Sequence, residues 1–240
     1  MANNQSSRHT HEQRLGILDY VRKFFRKPLW HFRSVEGKFA RIYRKNKWRD
    51  PESVSGPGSN LEQTAMIRRE LPGLLSELKV NRLLDVPCGD FNWMKEVTLP
   101  LEQYIGGDIV AELVSRNQEQ YGGPGRSFLP LNLLKDELPQ VDLILCRDCL
   151  VHFSFADIER ALARMRASGS KYLLTTTYTR VEQNRDILTG EWRTLNLELA
   201  PFDFPVPLRV IDEQCPDPRY ADKHLALWTL SPFSTRPADV

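Results

Sequence analysis

The chain has 240 residues, 41% of them hydrophobic, with 33 Lys and Arg against 31 Asp and Glu; that length suits one α/β domain of about 150–190 residues with a leader. It contains no run of 18 apolar residues, and the opening Met-Ala-Asn-Asn-Gln-Ser-Ser-Arg-His lacks the apolar stretch of a signal peptide, so neither a spanning helix nor a secretory signal is expected. Four cysteines, Cys88, Cys146, Cys149 and Cys215, are too few and too scattered for a disulfide scaffold, and a reducing compartment, the cytoplasm, is the expectation.

The net charge of +2 conceals an asymmetry. Residues 1–50 hold 13 of the 33 basic side chains and 4 of the 31 acidic ones, so a leader of net +9 precedes a body of net −7. From Glu12 to about Lys27, a turn of 100° per residue gathers Ile17, Leu18, Val21, Phe24 and Phe25 on one side and leaves Arg22, Lys23, Arg26 and Lys27 mostly on the other. This reads as a basic amphipathic helix stopped near Pro28. Its apolar face has two uses, docking on the body or lying on an anionic membrane surface through residues 12–33; nucleic acid is the weakest partner. A second helix is expected over Gly37–Lys47, ahead of Trp48. The leader is assigned residues 1–49 and the main domain residues 50–240.

Residues 50–60 are turn-rich. Ser55-Gly56-Pro57-Gly58-Ser59 reads either as a linker or as a loop whose backbone N–H groups and hydroxyls meet a polar ligand. Asn60 and Gln63 then form a capping box before the apolar positions Ala65, Ile67 and Leu71. Strands follow at Arg82–Val86, Gln103–Asp108, Arg126–Leu131, Val141–Cys146 and Lys171–Tyr178, and helices near Asn92–Val97, Val110–Tyr121 and Phe155–Ala167, the last capped by Ser154 with Asp157 in its first turn. This alternation is that of a doubly wound sheet covered on both faces. Pro201, Pro205 and Pro207 interrupt the chain before strands at Leu208–Ile211 and Leu225–Leu230. With no helix between them, these two form an antiparallel hairpin at the sheet edge.

The chemistry concentrates at residues 82–93, Arg-Leu-Leu-Asp-Val-Pro-Cys-Gly-Asp-Phe-Asn-Trp. A short apolar run, as expected of a strand buried on both faces, ends in Asp85 and a Gly-containing turn that opens a helix, and such sheets bind ligands at that end of the strand. Asp108, 23 residues on, closes a second strand, where an acid can accept hydrogen bonds from both hydroxyls of a ribose. Dinucleotide binding needs G-x-G-x-x-G and a bare helix N-terminus for the pyrophosphate. Pro87, Phe91 and Trp93 crowd this turn and no basic residue lies near it, so adenosyl without pyrophosphate fits better.

The acid-turn, the second-strand acid and the final hairpin together resemble the class I S-adenosylmethionine-dependent methyltransferases, over roughly residues 60–232. The resemblance implies a Rossmann-like sheet of seven strands, mostly parallel with a C-terminal antiparallel hairpin, behind an N-terminal helical extension. It also implies S-adenosyl-L-methionine as cofactor. Asp85 and the turn Pro87-Cys88-Gly89 would hold the methionine end, Asp108 the ribose, and Asn132 the adenine amino group, with Arg147 a further cofactor contact. Gly89 falls on the family's central glycine, whereas Pro87 and Phe91 stand where glycine is usual. Asp85 taken alone reads equally as a helix cap and Asn132 as a loop residue.

The fourth strand ends in Cys146-Arg147-Asp148-Cys149-Leu150-Val151-His152, where the family places acceptor-binding or base residues. Asp148 or His152 is the expected base, or His152 shapes the pocket. Cys146 and Cys149 form a lone CxxC, more consistent with core packing than with a metal, which would want four ligands. No metal is expected. Tyr178 ends the fifth strand, and Trp192, Arg193 and Asn196 in the aromatic segment after it are the expected acceptor contacts, against a flap packed on itself. Ser-Gly-Pro-Gly-Ser and Arg-Asp-Cys-Leu-Val-His also look similar to bacterial methyltransferases found beside polysaccharide-assembly enzymes, which points to O-methylation of a sugar or glycan. The competing readings are an RNA methyltransferase using the basic leader, and a non-catalytic adaptor of the same fold.

Overall fold

The computed structural model describes residues 33–230. The expected helix over Glu12–Lys27, and all but the last of the residues 12–33 expected to contact a membrane, lie outside them. The chain parts into two compact units, Met1–Lys38 and Phe39–Val240, and the second carries the sheet. None of the described helices is long and apolar enough to cross a membrane.

Seven strands form one sheet in the order β3-β2-β1-β4-β5-β7-β6. They are β1 (Arg82–Asp85), β2 (Gln103–Asp108), β3 (Arg126–Pro130), β4 (Leu143–Cys146), β5 (Tyr172–Tyr178), β6 (Arg209–Asp212) and β7 (Lys223–Thr229). The first five pair in parallel, while β7 runs antiparallel between β5 and β6. Reversal at β7 follows from sequence: only a single 3-10 turn, Pro218–Tyr220, separates it from β6, too short for a crossover, so the pair closes as a hairpin.

Why the central strands read as unbroken apolar runs is visible in how neighbours divide between faces. Leu84, Ile144, Leu173 and Trp228 pack on one side with Ile158, Ala161, Leu162 and Met165 of the helix Phe155–Ala167. Leu83, Leu143, Leu145 and Leu174 pack on the other with Ile67, Leu71, Leu74 and Leu75 of the helix Ala65–Glu77. Each such side chain contributes roughly 1.5–3 kcal/mol on burial. In chain order the helices are α1 (Val35–Arg44), α2 (Ala65–Glu77), α3 (Ala111–Tyr121) and α4 (Phe155–Ala167). Ser154 Oγ accepts from the Asp157 N–H at 3.3 Å and caps α4, and Asn60 Oδ1 accepts from the Gln63 N–H at 2.9 Å one turn ahead of α2.

Two expectations change. The turn after β1 does not open a full helix: the expected element at Asn92–Val97 is one 3-10 turn, Met94–Glu96. Phe91, Trp93, Met94 and Val97 are all buried around it, more sides than one amphipathic stripe offers, and Pro100 bars extension. The last strand begins at Lys223, not Leu225, because the buried Lys223 ammonium is ion-paired inside the protein.

Candidate active site

A cavity of about 530 Å³ opens at the carboxyl ends of β1, β2, β4 and β5. Asp85, Pro87, Cys88, Gly89, Asp108, Asn132, Arg147, Asp148, His152, Tyr178 and Trp192 all border it, so the fold brings together residues spread over more than 100 positions. Arg193 and Asn196 do not. The Arg193 guanidinium donates to the Leu150 and Phe153 carbonyls at 2.9 Å each, clamping the turn that carries His152. Asn196 accepts from the Glu198 N–H and exchanges bonds with Asn184. Both are buried in the base of the flap, so they position the wall rather than face a ligand; the acceptor contact expected of them is corrected to that role.

Asp85 is buried and accepts a hydrogen bond from the Tyr104 hydroxyl at 2.5 Å. Burial pushes its carboxyl up to about 7, against the lowering effect of that bond and with a further push from Asp108. Asp108 accepts from the Val110 N–H at 2.9 Å through one oxygen and from the Gly89 N–H at 3.2 Å through the other. Burial still raises it to about 6. Arg147 lowers Asp85 only in part, and two buried acids held this high are costly to ionise unless a ligand supplies donors or positive charge.

Two features adapt the β1 turn. Gly89 takes φ +55°, where a Cβ would collide with Ser55 Oγ, so the glycine is required by close approach as well as by conformation. Phe91 takes φ +59° without being glycine. Its ring is 1% exposed and packs on Tyr104, Tyr121 and Phe128 at centroid distances of 5.3, 5.1 and 5.1 Å. Left-handed backbone costs about 1–2 kcal/mol, which burial of a phenyl ring with three aromatic partners offsets.

The Ser55–Ser59 loop is not a linker. Asp90 accepts from Ser53 Oγ, the Val54 N–H and Ser55 Oγ, and Ser55 Oγ in turn accepts from the Asp90 N–H. The loop is thereby pinned across the β1 turn and borders the cavity from Val54 to Ser59. At its far end Arg147 Nη1 donates to the Gly58 carbonyl at 2.6 Å.

Arg147 itself sits in a four-charge network. It bonds Glu213 through Nη2 at 2.7 Å and Nε at 3.3 Å, and approaches Asp148 at 3.3 Å. Lys223 bridges Asp148 at 2.7 Å and Glu213 at 3.1 Å. Lys223 and Arg147, aided by hydrogen bonding, hold Asp148 at about 2 despite its burial. His152 is half-buried, with ring contacts to Trp48 at 5.8 Å and Phe39 at 6.4 Å, and burial lowers its pKa. Its Nδ1 lies 2.8 Å from the Glu191 carbonyl, which only accepts, so Nδ1 carries the proton and Nε2 is the basic nitrogen. Tyr178, Trp192 and Tyr220 form a cluster of perpendicular rings beside this group. Burial pushes the Tyr178 hydroxyl upward.

Sequence reasoning missed the apolar slot of Ile109, Val110, Leu113, Leu131 and Leu133 beside Asp108 and Asn132. It also missed Trp48, Trp93, Glu213, Tyr220 and Lys223. The slot residues directly follow β2 and β3, a placement that could have flagged them, whereas Glu213 and Lys223 carry no local signal. Among the described residues no group of three or more His, Cys, Asp or Glu is arranged to hold a metal.

No protein-family model and no curated protein matches the chain. Solved structures do. Human N-acetylserotonin methyltransferase in complex with S-adenosylmethionine superposes with TM-score 0.58 at 15% identity, over 83% of this chain and 61% of its own. The pyocyanin biosynthetic protein PhzM gives 0.57 at 15%, over 78% and 61%. The methyltransferase domain of bacterial CtHen1-C gives 0.51 at 13%, over 72% and 100%.

This chain has the class I S-adenosylmethionine-dependent methyltransferase fold. It spans about 61% of the length of the first two of these proteins and the whole of the third. In a fold of this kind ligands bind outside the carboxyl ends of the strands, where the order reverses. Here that point lies between β1 and β4, and the cavity borders both.

Proposed function

We propose that the protein is an S-adenosyl-L-methionine-dependent methyltransferase that methylates a hydroxyl of a polar acceptor, a sugar or glycan. The observation carrying this is the pair of buried acids, Asp85 and Asp108, raised by burial despite their hydrogen bonds, on the cofactor side of one cavity in the methyltransferase fold. The residues present fit the cofactor. Asp108 has lone pairs left to accept the ribose hydroxyls, the apolar slot from Ile109 to Leu133 suits a flat purine, Asn132 borders that slot, and Asp85 suits an ammonium group. When bound, the cofactor supplies an electrophilic methyl group on a sulfonium.

His152 is the better base. Its free Nε2 can take a proton from an acceptor hydroxyl, whereas Asp148, ion-paired and held at about 2, is too weakly basic and instead accepts a hydrogen bond that orients the acceptor. The rings of Trp48, Tyr178, Trp192 and Tyr220 offer the flat apolar walls on which sugar faces stack, and the four-charge network leaves the floor neutral. A neutral polyhydroxyl acceptor fits these walls.

Calorimetry with S-adenosylmethionine tests the first half: micromolar binding by the wild type and a loss of tenfold or more in Asp108→Ala are expected, and no binding by the wild type refutes it. Transfer of labelled methyl to a panel of sugars, oligosaccharides and RNA tests the second. Label on RNA alone would overturn the glycan reading.

A further inference from the structure

Methyl donors of this class carry a zwitterionic amino-acid end, and Asp85 answers only its ammonium. The carboxylate needs donors, and where a glycine-rich loop would offer them the N–H groups from Cys88 to Asn92 are all engaged. The Cys88 N–H bonds the Gly107 carbonyl, Gly89 bonds Asp108, Asp90 bonds Ser55 Oγ, Phe91 bonds the Cys88 carbonyl and Asn92 bonds the Asp90 side chain. Arg147 is committed to Glu213, Asp148 and Gly58, and Lys223 to Asp148 and Glu213.

Trp93 closes the turn that Asp85 opens. Its side chain borders the cavity and the residue is 6% exposed. The indole N–H has no acceptor among the described residues and is not sealed from solvent, and the residue that carries it lines the cavity. The Arg147 guanidinium lies over the indole, 5.8 Å from its centroid, which adds positive charge on this side of the cavity.

Resting on the cofactor reading above, we propose that Trp93 is a specificity-determining residue whose indole N–H binds the carboxylate of the cofactor's amino-acid end, opposite the ammonium held by Asp85. The crowded turn then has a rationale. Its own N–H groups are spent fastening the Ser55–Ser59 loop and Asp108, and a side chain at its end replaces them as the anion donor.

Calorimetry with two ligands tests this: S-adenosylhomocysteine, which carries the amino-acid end, and 5′-deoxy-5′-methylthioadenosine, the same adenosine thioether without it. Trp93→Phe keeps a ring and removes the N–H. The variant is expected to lose about 10- to 100-fold in affinity for S-adenosylhomocysteine, as for one hydrogen bond to a charged group, and to bind methylthioadenosine like the wild type, which also certifies an intact pocket. Equal losses for both ligands, or no loss for either, overturn the proposal while leaving the cofactor reading standing. Failure of the wild type to bind either ligand sinks both. Should Trp93→Phe not fold, the wild-type indole signals in a ¹H–¹⁵N spectrum decide: a downfield shift of one buried indole proton with S-adenosylhomocysteine but not with methylthioadenosine is expected, and identical spectra with the two ligands refute the role.

Discussion

Asp85 makes the ligand-free protein less stable as pH rises toward neutrality, the reverse of the usual behaviour of a folded-state carboxylate. Its pKa goes from 3.8 to about 7 on folding, so between those values the native state holds a proton that the unfolded chain has released. Stability then falls as pH climbs through that window. From pH 5 to pH 8 the loss from this one group is roughly 3 kcal/mol, or about 6–12 °C in melting temperature for a domain of this size. Asp108, raised to about 6, adds in the same direction over a narrower window. His152 opposes them: its lowered folded-state pKa favours the native state as pH rises toward the ordinary histidine value. Asp148, held at about 2, contributes stability present above pH 4 and lost only on acidification below it. The Asp85→Asn variant isolates the first contribution, since Asn can still accept the Tyr104 hydroxyl bond. Melting temperatures of both proteins at pH 5, 6, 7 and 8 should converge at the acid end and separate at the alkaline end, the variant being the more stable. Parallel profiles would refute the assignment of a buried, proton-holding Asp85. S-adenosylhomocysteine should stabilise the wild type most at pH 8, where Asp85 is ionised for its ammonium group.

Other perturbations have equally definite outcomes. Gly89→Ala forces a side chain into left-handed backbone and onto Ser55 Oγ, and is expected to cost about 2 kcal/mol or more in urea unfolding. Asp90→Ala removes the acceptor that pins residues 53–55, so hydrogen exchange across 53–59 should accelerate while β4 and β5 stay protected, with a stability loss of roughly 2–4 kcal/mol. Arg147→Ala leaves the buried Glu213 carboxylate to Lys223, which Asp148 shares, and should cost about 3–5 kcal/mol, whereas the joint Arg147→Met, Glu213→Leu replacement should recover much of it, as chemical denaturation of both variants will show. His152→Gln should lower methyl transfer about 100- to 10,000-fold with S-adenosylmethionine affinity unchanged, and Asp148→Asn should raise the acceptor KM more than it lowers kcat.

The sheet was readable because its determinants are local. Runs such as Leu83-Leu84 and Leu143-Ile144-Leu145-Cys146 are apolar on consecutive residues only when both faces are covered, and a Gly and an acid at the strand ends mark where the backbone must meet a ligand. Asp85, Gly89 and Asp108 could be singled out for the same reason: turn chemistry and spacing along one stretch of chain are written in that stretch. The short Met94–Glu96 turn was not, because the pull of Phe91, Trp93 and Val97 toward several partners appears only when β2, β3 and α2 surround them.

Tertiary structure alone decided the rest of the site. Lys223 and Glu213 look like surface charges in sequence, and become the buried partners of Arg147 and Asp148 only because β7 inserts between β5 and β6. The same insertion makes Asp148 a poor base, and His152, the base proposed here, has its tautomer set by a carbonyl 39 residues away. Ser55 and Asp90 lie 35 positions apart, and their pairing turns an apparent linker into a wall of the cavity. Periodicity and turn residues are properties of neighbours along the chain, so sequence determines strands, faces and the strand-end acids. Protonation, ion pairing and the orientation of an N–H depend on neighbours in space, which the chain acquires only on folding.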